Sequence, residues 1–223
     1  MKNKKNSGRA LAVRLKTARG RKISSQRWLT RHLNDPYVQR AKEKGYRSRA
    51  AYKLQEIDDK FKILKRGTRV VDLGASPGGW LQVALERVGA QGKVVGIDLT
   101  PIEPLPGVHF ICGDFTDPLV LKTLKEALNG RVDVVLSDMA APSTGHSQTD
   151  HIRIMALAEE AFLFAQDVLE KDGSFVIKVL RGGTETNLLN LMKKHFAKVT
   201  HFKPPASRRD SAEIYVVALG FRP

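Results

Sequence analysis

The chain has 223 residues, 42% of them hydrophobic, enough for one domain with a sizeable core. No apolar run approaches the ~20 residues of a membrane span and no signal-peptide segment is visible, so a cytoplasmic protein is expected. The net charge of +15 sits in one stretch: Lys2 to Lys53 holds 17 Lys and Arg against two acids, Asp35 and Glu43, and the remainder has 21 of each sign. A neutral body with a basic arm points to a polyanion partner, nucleic acid first among them. The single Cys112 excludes an internal disulfide or a cysteine-built metal cluster, and it is expected to pack as a small apolar residue in a sheet. The six histidines show no H-E-x-x-H spacing, so no metal site is expected.

In chain order, residues 1 to about 27 are rich in Lys, Arg, Gly, Ser and Asn and poor in large apolar groups, so they are expected to lack stable structure. Basic residues continue past the reach of a mitochondrial transit peptide, the other reading of such an arm. Trp28, Leu29, Leu33, Tyr37 and Val38 suffice to dock one short helix. The chain therefore divides into a basic, flexible arm over 1–34 and a folded domain over 35–223. Tyr46 to Phe61 reads as an amphipathic helix, with Ala50, Leu54, Ile57 and Phe61 spaced by four, three and four. Lys53 borders that stripe, and Arg47 and Arg49 lie toward its start.

Val70 to Leu73 is short, apolar and β-branched, as in a buried parallel strand. Gly74 permits a tight turn, Gly78-Gly79 let backbone approach a ligand, and Pro77 suits the first position of a helix through Leu81, Ala84 and Leu85. Strand, glycine loop and helix together form a nucleotide-cofactor cradle. The glycines at 74, 78 and 79 do not fit G-x-G-x-x-G, and no P-loop occurs, which argues against a dinucleotide or a triphosphate. Lys93 to Leu99 reads as the second strand; Asp98 at its end stands where such folds hold a ribose diol. Val108 to Cys112 reads as the third strand, and Asp114 after it could accept from an adenine amino group. An adenosine-containing ligand without a P-loop fits S-adenosylmethionine.

Leu119 to Leu128 reads as helix, Val132 to Ser137 as strand four, 138–150 as loop and Ile152 to Leu169 as a long helix. Ser174 to Val179 is strand five, Leu188 to Phe196 a helix, and Val199 to Phe202 and Ile214 to Leu219 are two adjacent closing strands. Strands alternating with helices imply an α/β fold, and the closing hairpin makes a seven-stranded mixed sheet, mostly parallel with one antiparallel strand. Lys53, Asp138 at the end of strand four, Lys178 inside the apolar run Phe175 to Val179, and Glu213 at the start of the last strand should meet at the sheet's carboxyl edge. A lysine within a buried strand is costly unless paired or functional.

Several stretches resemble the FtsJ-type ribose 2′-O-methyltransferases: Gly45 to Leu54, Asp72 to Trp80, Ser137-Asp138-Met139-Ala140, Phe175 to Lys178, and Ser207 to Glu213. The resemblance covers roughly residues 35 to 221. It implies a Rossmann-like class I methyltransferase fold, a Lys-Asp-Lys-Glu tetrad at Lys53, Asp138, Lys178 and Glu213, and S-adenosyl-L-methionine contacts at Gly78, Trp80, Asp98, Asp114 and Asp138. It implies the A-loop uridine of 23S rRNA in the large ribosomal subunit as target. Many members continue Ser137 to Ala140 with Pro-Asn, where this chain has Ala141-Pro142-Ser143.

Transfer of a methyl group to a ribose hydroxyl requires alignment and removal of a proton. Lys178 is the expected centre, as neutral base or as fixed positive charge, with Asp138 orienting it and Lys53 and Glu213 tuning charge. Arg47, Arg49, Lys203, Arg208 and Arg209 are the expected RNA face, for a single-stranded or splayed loop. A monomer is expected. A tRNA or mRNA-cap 2′-O-methyltransferase, or a non-catalytic RNA-binding ribosome-assembly factor, are the competing readings.

Overall fold

A computed structural model of the chain describes residue 20 and residues 22–141, 144–181 and 186–223. Among these, seven strands form one mixed sheet, taken in chain order as β1 (Arg69–Leu73), β2 (Lys93–Asp98), β3 (Val108–Cys112), β4 (Val132–Ser137), β5 (Leu169–Leu180), β6 (Phe196–Phe202) and β7 (Glu213–Phe221). Their order across the sheet is β3-β2-β1-β4-β5-β7-β6, and β7 alone runs antiparallel to both its neighbours. The expected α/β fold with one antiparallel strand is therefore the one observed.

Side chains alternate along each buried strand, so the sheet builds a core on each face. Val71 and Leu73 pack with α5 (Pro118–Leu128), α6 (Ser147–Val168) and α7 (Thr186–His195). Val70, Val134 and Val176 point the other way, against α3 (Ala51–Phe61) and α4 (Gly79–Val88). The order reverses between β1 and β4, where Leu73 pairs with Ser137. The chains leaving β1 and β4 therefore emerge side by side, opening the crevice in which such sheets place ligands.

Several boundaries differ from expectation for identifiable reasons. Residues 23–27, expected to lack structure, open helix α1 (Ile23–Leu33), and a separate α2 (Pro36–Glu43) follows. Asp35 separates the two, accepting from the Tyr37 amide with Pro36 in the first helical position. Residues 1–19 and 21, the bulk of the expected arm, lie outside the described residues. Helix α3 begins at Ala51 rather than Tyr46 because Gly45 to Ala50 are drawn into tertiary contacts; the Gln82 side chain accepts from the Arg47 amide at 2.7 Å. Pro77 precedes α4 instead of opening it, following a cis Ser76–Pro77 peptide, and Gly78 at φ +104° is the cap. Strand β5 starts at Leu169, five residues early, through an irregular turn at Asp172 (φ +66°) that shifts its register on β4. Cys112 ends the edge strand β3 and is exposed rather than packed. Among the described residues, no helix is long and apolar enough to cross a membrane.

Candidate active site

The strand register assembles the four expected residues. Ile177 pairs with Ser137, so Lys178 and Asp138 continue from adjacent positions of β5 and β4. On the other side of β5, Lys178 pairs with Tyr215 and Leu180 with Glu213. Helix α3 packs over this edge and lowers Lys53 onto it. Lys53 and Lys178 are each only 8% exposed, so both ammonium groups need acceptors.

Lys178 Nζ donates to the Asp138 carbonyl oxygen at 2.7 Å and lies 3.0 Å from Asp138 Oδ1. Lys53 Nζ sits 2.8 Å from Glu213 Oε1 and 2.9 Å from Oε2, and 3.6 Å from Asp138 Oδ2. The centre is thus two cations interleaved with two carboxylates. Two further groups hold the anions. The Tyr215 hydroxyl donates to Asp138 Oδ1 at 2.6 Å, and the Ser207 hydroxyl donates to Glu213 Oε1 at 2.8 Å. Burial opposes ionisation of Asp138, but Lys178, Lys53 and the Tyr215 hydroxyl outweigh it and hold its pKa below the ordinary carboxylate value. Burial, then the Asp138 and Glu213 charges, push the Tyr215 phenol well up, so it stays a donor.

Neither Tyr215 nor Ser207 was singled out by sequence. The available signal for Tyr215 was its spacing of two from Glu213, which puts both on one face of β7.

A cavity of about 670 Å³ lies at the carboxyl ends of β1, β2 and β4. Asp98, Asp114 and Asp138 all line it, with Gly74, Ser76, Gly113 and Met139. Asp98 is fixed by the Ser76 amide (2.9 Å to Oδ2) and the Thr100 amide (2.8 Å to Oδ1). Both Thr116 bonds to Asp114 end on Oδ1. Gly74, at φ +77°, meets Met139 so closely that a Cβ there would collide with its side chain. About two turns of α6 also face the cavity, through Arg153, Ala156, Leu157 and Glu160, in a stretch that the sequence marks only as helix.

Two expected cofactor contacts, Trp80 and Gly78, are not among the residues lining this cavity, and the Trp80 ring turns away from it. The Trp80 side chain is buried against Tyr215, ring centroids 5.8 Å apart, with its indole N–H donating to the Ala50 carbonyl at 2.8 Å. Gly78 is covered by the Arg47 side chain, 3.0 Å from where a Cβ would stand. Neither lines the cavity. Beneath it, Asp72 of β1 is fully buried, neither of its oxygens has a hydrogen-bond partner among the described residues, and burial, then Asp138 and Asp98, raise its pKa well above normal.

A second recess of about 500 Å³ lies on the other side of the centre, lined by Lys53, Glu213, Ala50, Arg49, Arg208 and Ser211, with Arg31, His32 and Asp210 at its far wall. Asp138 lines the first recess and Lys53 and Glu213 the second, so the four-residue centre stands between them.

The five cations expected to face RNA divide. Arg47 is committed to protein, donating to the carbonyls of Glu103 (2.7 Å), Pro104 (2.9 Å) and Pro77 (3.4 Å). Lys203 donates to the Ser211 carbonyl at 2.6 Å. Arg49 donates to the Ala206 carbonyl at 2.5 Å and pairs with Asp35 at 3.0 Å, yet it still lines the second recess, as does Arg208. Arg209 is exposed. Pro142 and Ser143, where the chain departs from the family pattern, lie outside the described residues.

Residues 46–221 match the family model described as FtsJ-like methyltransferase. A protein of Paramagnetospirillum magneticum named ribosomal RNA large subunit methyltransferase E is 59% identical, over 96% of this chain and 90% of its own length. One of the same name from Gluconobacter oxydans is 57% identical, over 97% and 80% respectively. A Plasmodium falciparum crystal structure described as a ribosomal RNA methyltransferase superposes with a TM-score of 0.72 at 35% identity, covering 79% of this chain and 98% of its own.

Proposed function

The chain belongs to the FtsJ-like methyltransferase family, and from that premise we propose that it transfers a methyl group from S-adenosyl-L-methionine to a ribose 2′-hydroxyl of large-subunit ribosomal RNA. The observation that carries this reading is the position of the Lys53–Asp138–Lys178–Glu213 centre between two recesses, one suited to an adenosine and the other basic. The first recess fits the methyl donor by size and by acceptors, with Asp98 for a ribose diol and Asp114 for an adenine amino group. When bound, S-adenosylmethionine would supply an electrophilic methyl group on sulfur.

The chain's own residues do the rest. Lys178 Nζ, anchored by two oxygens of Asp138, can present an N–H to the ribose 2′-oxygen as that hydroxyl gives up its proton to solvent water, and so stabilise the developing negative charge. Asp138, kept ionised, fixes Lys178 in place. Glu213 holds Lys53 by both oxygens, which leaves Lys53 as a second positive group at the acceptor side. Tyr215 and Ser207 keep the two carboxylates from rotating. Preorganised charges of this kind act without rearrangement during reaction.

Curated relatives named for large-subunit RNA support that substrate, and the A-loop uridine of 23S rRNA, in a loop whose nucleotides can splay from a helix, is the target we assign. Action in the cytoplasm as a monomer accords with this. Ribose-methylation mapping of large subunits from cells with and without the protein tests it. One A-loop uridine should lose its 2′-O-methyl group and regain it with purified protein and methyl donor; identical maps would overturn the assignment.

A further inference from the structure

Helix α1 does more than join the arm to the body. Arg31 and His32, at its C-terminal end, form the far wall of the basic recess whose near wall is Lys53 and Glu213. The recess and its immediate support contain four cations, Arg31, Arg49, Lys53 and Arg208. Among the described residues, three carboxylates answer them: Glu213 is taken by Lys53, Asp35 is shared between Arg49 (3.0 Å) and Arg208 (3.8 Å), and Asp210 faces Arg31 at 3.0 Å. Lys53 also shares Asp138 with Lys178, so that fourth carboxylate brings its own cation. The recess has room for one more anion.

The Arg31–Asp210 pair is the one built to exchange. Its side chains are 58% and 63% exposed, whereas Arg49 and Asp35 are 17% and 8% exposed. An exposed ion pair is weak because water competes for both partners, and a guanidinium fork accepts phosphate as readily as carboxylate. In RNA the 3′-phosphodiester stands on the ribose carbon next to the 2′-hydroxyl. A ribose presented to Lys53 and Lys178 therefore carries a phosphate into the adjoining recess.

We infer that α1 supplies a phosphodiester subsite: Arg31, which lines the same recess as Arg208, takes the backbone phosphate beside the target ribose in exchange for Asp210. This rests on the RNA-methyltransferase reading above. It makes the enzyme select a polynucleotide, since a free nucleoside has no phosphate to displace Asp210.

The test uses the full-length protein with large ribosomal subunits lacking the modification as acceptor. Arg31→Glu should raise the acceptor KM about tenfold, with kcat and S-adenosylmethionine affinity within about twofold, and should flatten the salt dependence of RNA binding by about one phosphate contact. Arg31→Lys should restore most of the loss. Asp210→Asn separates a subsite from a structural tie: loss of the competing carboxylate should lower KM, while loss of a tether holding α1 in place would raise it. An unchanged KM in Arg31→Glu, or a raised KM in Asp210→Asn, overturns the inference. If the wild-type protein methylates no large subunit, the substrate reading fails instead, whatever Arg31 does.

Discussion

Asp138 grips Lys178 twice, accepting from its Nζ through the backbone carbonyl at 2.7 Å and standing 3.0 Å away through Oδ1. The backbone contact fixes the ammonium to the end of β4, at the rim of the cofactor cavity, and the side-chain contact balances its charge. Oδ1 is also the acceptor for Tyr215, so any change at Tyr215 reaches Lys178 through one atom.

Tyr215→Phe should therefore lower kcat while leaving the fold and the methyl-donor affinity nearly unchanged. The phenyl ring fills the same buried space; what is lost is the hydroxyl's bond to Asp138, worth about 1.5–3 kcal/mol for a charged acceptor, and its longer bond to Glu213 Oε1 at 3.5 Å, and kcat should fall roughly tenfold or more as the Lys178 anchor loosens. The Tyr215 hydroxyl helps hold the Asp138 pKa down, so the acid limb of the kcat–pH profile should move to higher pH. An unshifted profile with unchanged kcat would remove Tyr215 from the centre.

Asp72→Asn should stabilise the protein in a pH-dependent way. The folded-state pKa of Asp72 is raised by burial and by Asp138 and Asp98, so its ionisation opposes folding. Stability linked to Asp72 is complete below its unfolded pKa, near 3.8, and is lost as pH rises through the folded value. The Asn variant imitates the protonated form. Its Tm advantage should be absent near pH 4 and grow with pH, by roughly 2–4 °C per kcal/mol. Thermal melts across pH decide it; a constant difference would show that the Asp72 pKa is the same in the folded and the unfolded chain.

Much of this arrangement is readable locally. The β1–loop–α4 unit and Asp98 follow from a short β-branched run, close glycines and an acid after the next strand. Lys178 announces itself by interrupting an apolar strand. What escaped depends on distant partners. Arg47 looks like a surface cation until the carbonyls of Glu103 and Pro104, more than fifty residues away, claim it. Trp80 sits beside the glycine loop in sequence, but the first turn of α4 rotates its ring into the core against Tyr215. Residues 23–27 look like a continuation of a polar arm, and the pairing of Arg31 with Asp210 shows what the C-terminal end of α1 faces.

Asp98→Ala should weaken methyl-donor binding by at least about tenfold, because it removes a cavity acceptor and releases the Ser76 and Thr100 amides that it orders. RNA affinity should be unchanged, since Asp98 is on the far side of the centre from the basic recess. Calorimetric titration of both ligands separates the two; equal losses would point to general unfolding of the β2 end.

Deleting residues 1–19, which carry seven Lys and Arg and no acid, should leave methyl-donor affinity intact. RNA binding should weaken at low salt and show a shallower slope of log K against log salt. Filter binding across a salt series reads both, and an unaltered slope would mean that these charges do not meet phosphate.

The central claim is that Lys178 serves methyl transfer rather than the fold. Single-turnover methyl transfer by Lys178→Ala, measured with saturating donor and unmodified large subunits, tests it most directly. The predicted result is a rate reduced by at least about a thousandfold, with donor and RNA affinities within about twofold of wild type. Near wild-type transfer, or a lost rate accompanied by lost donor binding, would contradict the claim.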